Sequence, residues 1–354
     1  MNLPFNIDLK AATRLTRLGK LDDAVRSIQA ALGIGAAELK VSLAPDFVVP
    51  GRNPKPPTEL PERSPGASFA ETTYFGATGH RAYKLYVPAC FNDQAFDGRP
   101  LPLIVMLHGC TQSPDDFAAG TRMNELAETH GFFVAYPAQS QAANPSRCWN
   151  WFNATDQQRD KGEPALIAGL TREIMARYPV DESLVFIAGL SAGGAAAAIM
   201  GQVYPELYAA VGVHSGLACG AARDFASAFR AMQQGHQGTR QETGANRTFK
   251  PTIVFHGDGD ATVHPVNGGH VIDQARHDVR LTTLSESGEA GGRAYRREME
   301  IDEAGIPRLE QWTIHGAGHA WSGGSPAGSY ADARGPDASR EMVRFFLDLG
   351  QSSR

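Results

Sequence analysis

The chain has 354 residues, 20% of them charged, and a formal net charge of -5 with no long basic block, which argues against a nucleic-acid partner. Its 42% hydrophobic composition can bury one large core with appendages. No stretch approaches the ~20 apolar residues of a membrane span, and four cysteines (Cys90, Cys110, Cys148, Cys219) without a C-x-x-C pair indicate neither a disulfide scaffold nor a zinc site.

Residues 1–35 read as an N-terminal helical hairpin. Leu9, Ala12, Leu15 and Leu18 share one helix face up to Gly19, and Leu21, Ala24, Val25, Ile28, Ala31 and Leu32 form the next. Such stripes need a partner: the rest of the chain, another subunit or an apolar surface. The oligomeric state stays open. Charges at Asp8, Lys10, Arg14, Arg17, Lys20, Asp22 and Asp23 interrupt any signal-peptide core, so the expected location is the cytoplasm, with reduced thiols. Residues 36–68, with six prolines between Pro50 and Pro65, read as a linker, and residues 69–354 as one further domain.

From there strands and helices alternate. "RAYKLYVP" from Arg81, "PLIVMLHG" from Pro102, "FFVAYP" from Phe132, "SLVFIAG" from Ser183, "AAVGVHSG" from Ala209, "PTIVFHGD" from Pro251 and "LEQWTIHG" from Leu309 read as strands. "RAYRREME" from Arg293 reads as a solvated strand face. Helices are expected at "MNELAETHG" from Met123, from Pro164 to Tyr178, from Ala192 to Tyr204 and at "DASREMVRFFLDLG". Continuous apolar strands separated by helices predict an α/β fold, a mostly parallel sheet covered on both faces. The polar stretch from Gln233 reads as a surface excursion.

Ser191 sits between the strand "SLVFIAG" and the helix "AGGAAAAIM", within Gly189-Leu190-Ser191-Ala192-Gly193. This is G-x-S-x-G, a sharp strand-to-helix turn that presents a serine at a helix N-terminus. The flanking glycines and alanines let strand and helix approach closely. Ser191 is therefore the expected nucleophile rather than a simple cap. A serine hydroxyl needs a base oriented by an acid. After the strand "PTIVFHGD" come Asp258 and Asp260, of which Asp260 lies further into the turn and is preferred. The base comes from "WTIHGAGHAWSGG": His319, in a glycine-bounded loop, is preferred over His315 at the strand end. His108, His214, His256, His264 and His270 read as loop or hydrogen-bonded residues. The backbone N–H groups of Ala192 and Cys110 are the expected oxyanion donors. No metal or organic cofactor is required.

In this order, "HGCTQ", "RCWNWF", "GLSAGGA", "FHGDGDATVHP" and "GAGHAWSGG" resemble the polyhydroxybutyrate depolymerase family of esterases, within the α/β-hydrolases, over roughly residues 72–349. The resemblance implies the α/β-hydrolase fold, a Ser191-Asp260-His319 triad, an oxyanion hole at Cys110 and Ala192, and hydrolysis of short-chain polyesters. It extends more distantly to feruloyl and acetylxylan esterases, the alternative activity. Intracellular relatives share the helical segment and Pro-rich linker. Secreted ones carry a signal peptide and many add a C-terminal polymer-binding domain. Neither is visible here, so oligomers, soluble esters or the surface of amorphous polyhydroxyalkanoate granules are the expected partners. In secreted relatives the cysteines matching Cys110 and Cys148 are commonly joined, whereas a cytoplasmic chain would keep them reduced. The aromatics of "RCWNWF", Trp149, Trp151 and Phe152, together with Trp321, are expected either to line an ester-binding crevice or to pin their loops to the core.

Overall fold

A computed structural model describes residues 66–93, 97–235, 249–276 and 280–351. The hairpin of residues 1–35, the linker up to residue 65 and residues 236–248 of the polar excursion lie outside the described residues.

Strands β1 (Ser68–Gly76), β2 (Gly79–Val87), β3 (Leu101–Leu107), β4 (Phe133–Pro137), β5 (Val180–Leu190), β6 (Ala210–His214), β7 (Thr252–Gly257), β8 (Thr282–Ala290), β9 (Arg293–Ile301) and β10 (Pro307–Ile314) form one sheet. Its order is β1-β2-β4-β3-β5-β6-β7-β10-β9-β8. From β4 to β10 neighbours run parallel, and the flanking pairs are antiparallel. The parallel strands are the apolar runs, because helices shield both of their faces from water. The exposed strand β8, "TTLSESGEA", has neither an apolar run nor a clean alternation and lies at the edge.

Alternation along each central strand divides the core. Leu103, Val105 and Leu107 of β3 and Val185 and Ile187 of β5 face one cluster. That side holds helices α3 (Gly162–Arg177), α4 (Ala192–Val203), α5 (Phe225–Gln234) and α6 (Val266–Ala275). Ile104, Met106, Phe186 and Ala188 face the other. There lie α1 (Pro114–Thr121), α2 (Met123–His130) and α7 (Ala338–Gln351). Phe186 stacks on Phe346 of α7 with ring centroids 4.7 Å apart. Among the described residues no helix is long and apolar enough to cross a membrane.

Helix α4 explains the alanine run. All ten residues from Ala192 to Gly201 are buried. A Cβ on Gly201 would strike the side chain of Val211 on β6, so small residues set how closely the helix lies on the sheet. The loops after β3, β5, β6, β7 and β10 leave the carboxyl ends of the parallel strands. In open α/β sheets that is the edge where ligands bind. A short parallel pair, β11 (Trp321–Ser322) and β12 (Ala331–Asp332), braces the loop beyond β10.

Candidate active site

The turn after β5 places Ser191 at φ 57° and ψ -119°, outside the usual conformations of an L-residue. Neighbouring backbone enforces this. A Cβ on Gly189 would overlap Gly193, and a Cβ on Gly193 would overlap the carbonyl oxygens of Leu107 and His108. The Ser191 N–H donates to His214 O at 2.9 Å, and Ser191 O accepts from Ala195 N–H at 2.9 Å, starting α4. The side chain remains partly exposed.

Asp260 and His319 meet. The His319 Nδ1 lies 2.7 Å from Asp260 Oδ2, with the carboxylate fully buried and the imidazole 12% exposed. The carboxylate also accepts the Thr262 and Val263 amides, both at 2.9 Å through Oδ1. His256 Nε2 lies 3.4 Å from Oδ2 and bonds to Val263 O at 2.9 Å. Burial alone would raise the Asp260 pKa, but the hydrogen bonds from His256 and His319 outweigh it and hold the carboxyl far below its ordinary value. An ionised Asp260 must accept from His319 Nδ1–H. The imidazole Nε2 is then left with its lone pair.

The two less favoured candidates form their own pair. His315 Nδ1 lies 2.8 Å from Asp258 Oδ2, and Gly316 N–H donates to Asp258 Oδ1 at 2.7 Å. Both side chains are largely exposed. This pair ties the Asp260 loop to the His319 loop, as does the 3.0 Å bond from Gly259 N–H to Ala317 O.

Around the Cys110 amide the loop is held from several sides. Gly109 N–H donates to Gln112 Oε1 at 2.9 Å and Thr111 N–H to Ser146 O at 2.6 Å. Trp149 Nε1–H donates to His108 O at 3.0 Å. A disulfide joins Cys110 to Cys148, so these two thiols are not reduced as a cytoplasmic chain would have them. Among the described residues the Cys110 and Ala192 amides have no hydrogen-bond acceptor. For Ala192 that follows from its position at the start of α4.

Two buried histidines brace these loops. His214 Nε2 accepts from Ser322 N–H at 3.0 Å, which places its proton on Nδ1, 3.2 Å from Ser215 Oγ. Burial, then the neighbouring His256 and His319, push its pKa down to about 3. His108 Nε2 accepts from Gln139 N–H at 3.1 Å, and its Nδ1 lies 2.7 Å from Gly109 O. Burial is the main cause that takes it down to about 4. Reading them as hydrogen-bonded residues is correct, but their bridging role had no signal in the sequence. The same holds for Gln112. Its side-chain amide also donates to Asp116 Oδ2 at 2.8 Å and Ser329 O at 2.9 Å.

For the tryptophans the crevice reading is corrected. Trp149 is fully buried, with the Arg81 guanidinium 5.4 Å from its ring centroid. Trp321 is buried too. It stacks on His214 at 5.1 Å, and its Nε1–H donates to Ser339 Oγ at 3.0 Å. Trp151 is also buried. All three pin loops to the core, because an indole in an irregular loop buries more apolar area inward than a crevice would cover. Phe152 alone of the four keeps partial exposure, edge-on to Phe225 at 6.2 Å.

A strained serine after β5, a buried Asp–His pair on the next loops and amides beside the turn define an α/β-hydrolase. The structure aligns with an acetyl xylan esterase from Aspergillus awamori at a TM-score of 0.57, covering 79% of this chain and 99% of that one at 20% identity. The chain belongs to the esterase PHB depolymerase family, whose model matches residues 81–298. It is 33% identical over 227 residues to poly(3-hydroxyalkanoate) depolymerase C from Paucimonas lemoignei, covering 62% of this chain and 54% of that protein. It is 33% identical over 216 residues to feruloyl esterase B from Thermothelomyces thermophilus, covering 56% and 71%. It is 28% identical over 229 residues to a probable acetylxylan esterase A from Neosartorya fischeri, covering 60% of each. The chain thus spans about half the length of the Paucimonas relative.

Proposed function

We propose that the chain is a serine esterase that hydrolyses the ester bonds of oligomeric or polymeric short-chain 3-hydroxyalkanoates. The observation that carries this reading is the buried Asp260–His319 pair on loops adjoining the strained turn of Ser191. Ser191 Oγ attacks the ester carbonyl while His319 Nε2 takes its proton, and Asp260 stabilises the resulting imidazolium. The Cys110 and Ala192 amides receive the oxyanion. His319 then protonates the departing alcohol, and water, activated by the same imidazole, cleaves the acyl-enzyme. No step uses a metal or an organic cofactor.

The polyester is favoured by the family and by an apolar face: Phe225 and Phe229, one turn apart on α5, are exposed beside Phe152. That face suits an aliphatic polymer or a granule surface. The feruloyl and acetylxylan relatives support a second reading, a carbohydrate esterase with the same machinery. The disulfide fits an oxidising compartment better than the cytoplasm. Alkylating the protein without reductant as it leaves the cell tests the location.

Rates on 3-hydroxybutyrate oligomers, methyl ferulate and acetylated xylan test the activity, with fluorophosphonate labelling of wild type and Ser191→Ala in parallel. Labelling confined to the wild type, with the oligomer as best substrate, is expected. Equal labelling of Ser191→Ala would refute the nucleophile.

A further inference from the structure

Tyr330 is a bulky residue at φ 50° with a 48% exposed side chain. Positive φ in an aromatic residue is an outlier that survives only where the surroundings over-determine it, and such outliers cluster at functional sites. Here the surroundings do so. Tyr330 O accepts from Trp321 N–H at 2.7 Å, two residues beyond His319. Its neighbour Ser329 donates through N to Asp116 Oδ1 at 2.8 Å and through Oγ to Asp116 Oδ2 at 2.6 Å. Gln112, which also holds Gly109 of the Cys110 loop, donates to Ser329 O at 2.9 Å. A Cβ on Gly328 would overlap Asp116 O, so the segment is seated against the start of α1.

This anchoring brings the phenol to the loop that carries Cys110. Its oxygen lies 3.5 Å from Thr111 Oγ1, next to Cys110. Thr111 also adopts a positive φ, 67°, and spends its one hydroxyl hydrogen on Cys110 O at 2.6 Å. At 3.5 Å the phenol–threonine contact is too long to engage either group fully. The Tyr330 O–H is therefore an exposed donor, on a backbone held between the His319 and Cys110 loops, with capacity to spare. The hydrogen bonds of the Ser329–Tyr330 backbone hold it there against the strain of its positive φ.

We infer that Tyr330 determines specificity, by donating a hydrogen bond to a second oxygen function of the substrate, one unit away from the ester being cleaved. This rests on the esterase reading above. In that reading the reacting carbonyl already has its two amide donors, so a third donor has work only with a substrate that carries another acceptor. A plain alkyl ester has no second carbonyl, whereas an oligoester has its next ester carbonyl. Tyr330 thus selects for oligoesters over simple esters.

The test compares wild type, Tyr330→Phe and Tyr330→Gly on ethyl butyrate and on the methyl ester of a 3-hydroxybutyrate trimer. One hydrogen bond accounts for roughly a five- to tenfold effect. Tyr330→Phe is expected to lower kcat/KM for the trimer by about that factor, mainly through KM, and to leave ethyl butyrate within about twofold. Tyr330→Gly is expected to lose the same preference while melting no lower than wild type, since glycine accepts the positive φ. Equal losses on both substrates, an unchanged ratio, or a marked fall in the melting temperature of Tyr330→Gly would overturn the proposal. A wild type that cleaves neither substrate would instead remove the esterase reading, and this one with it.

Discussion

The backbone carbonyl of His214 accepts the amide hydrogen of Ser191 at 2.9 Å, while the ring of the same histidine accepts from Ser322, three residues beyond His319. One residue at the end of β6 thus links the turn of the proposed nucleophile to the loop of the proposed base. Its stacking on Phe255, with centroids 5.9 Å apart, and on Trp321 keeps that link dry.

Replacing Ser191 separates chemistry from strain. Ser191→Ala is expected to abolish ester hydrolysis while leaving the melting temperature near wild type. Ser191→Gly should abolish it too but melt higher, because glycine removes a backbone penalty of about 1–3 kcal/mol. Calorimetry with a p-nitrophenyl ester assay checks both, and a lower-melting Ser191→Gly would contradict the strain argument.

The two aspartates should behave very differently. Asp260→Asn removes the acceptor that fixes the His319 tautomer, and about 10³–10⁴-fold should be lost from kcat with KM little changed. Asp258→Asn cuts only the exposed tie to His315 and Gly316, and a loss of less than about tenfold is expected. Comparable losses would mean that the acid has been assigned to the wrong aspartate of this loop.

Acid stability follows from the buried histidines. His214 and His108 titrate at about 3 and about 4 in the folded chain, against about 6.5 when unfolded. Between those values the unfolded chain binds protons that the folded chain refuses. Their contribution is complete above pH ~6.5 and is lost as pH falls toward 4 and then 3, at about 1.4 kcal/mol per pH unit for each proton withheld. Urea melts from pH 7 to 4 should show the midpoint dropping steadily. In a His214→Asn variant, which keeps a polar side chain without the titration, that slope should be shallower.

Reduction of the Cys110–Cys148 bond has two expected consequences. The bond spans 38 residues of sequence, and its loss should cost about 2–4 kcal/mol. It also frees the Cys110 amide from its clamp, so kcat should fall more than KM rises. A Cys110→Ser, Cys148→Ser double variant assayed beside wild type, with and without dithiothreitol, checks both effects.

Much of the fold was legible because its central strands are written as apolar runs and the turn of the proposed nucleophile as two glycines around a serine. Asp260 and His319 were readable from their places after strands, and they do meet at 2.7 Å. Besides the bridging roles of His108, His214 and Gln112, other features were not legible, for different reasons. Strands β1 and β8 lie at the sheet edges and bury almost none of their side chains on either face, so no apolar pattern is needed. The inward burial of Trp149 and Trp321 depends on loop paths, and irregular loops have no periodicity to read. Tyr330 stood out only through its backbone angle, which composition does not encode.

The glycine at position 193 touches the carbonyls of Leu107 and His108 with no side chain between them. The turn of Ser191 and the loop leading to Cys110 therefore share one wall of main chain, which cannot be retuned by swapping rotamers. Laboratory evolution of this scaffold should leave that wall untouched and find its useful changes at partly exposed side chains around the proposed site, such as Thr111 and Tyr330, where a substitution moves no main chain.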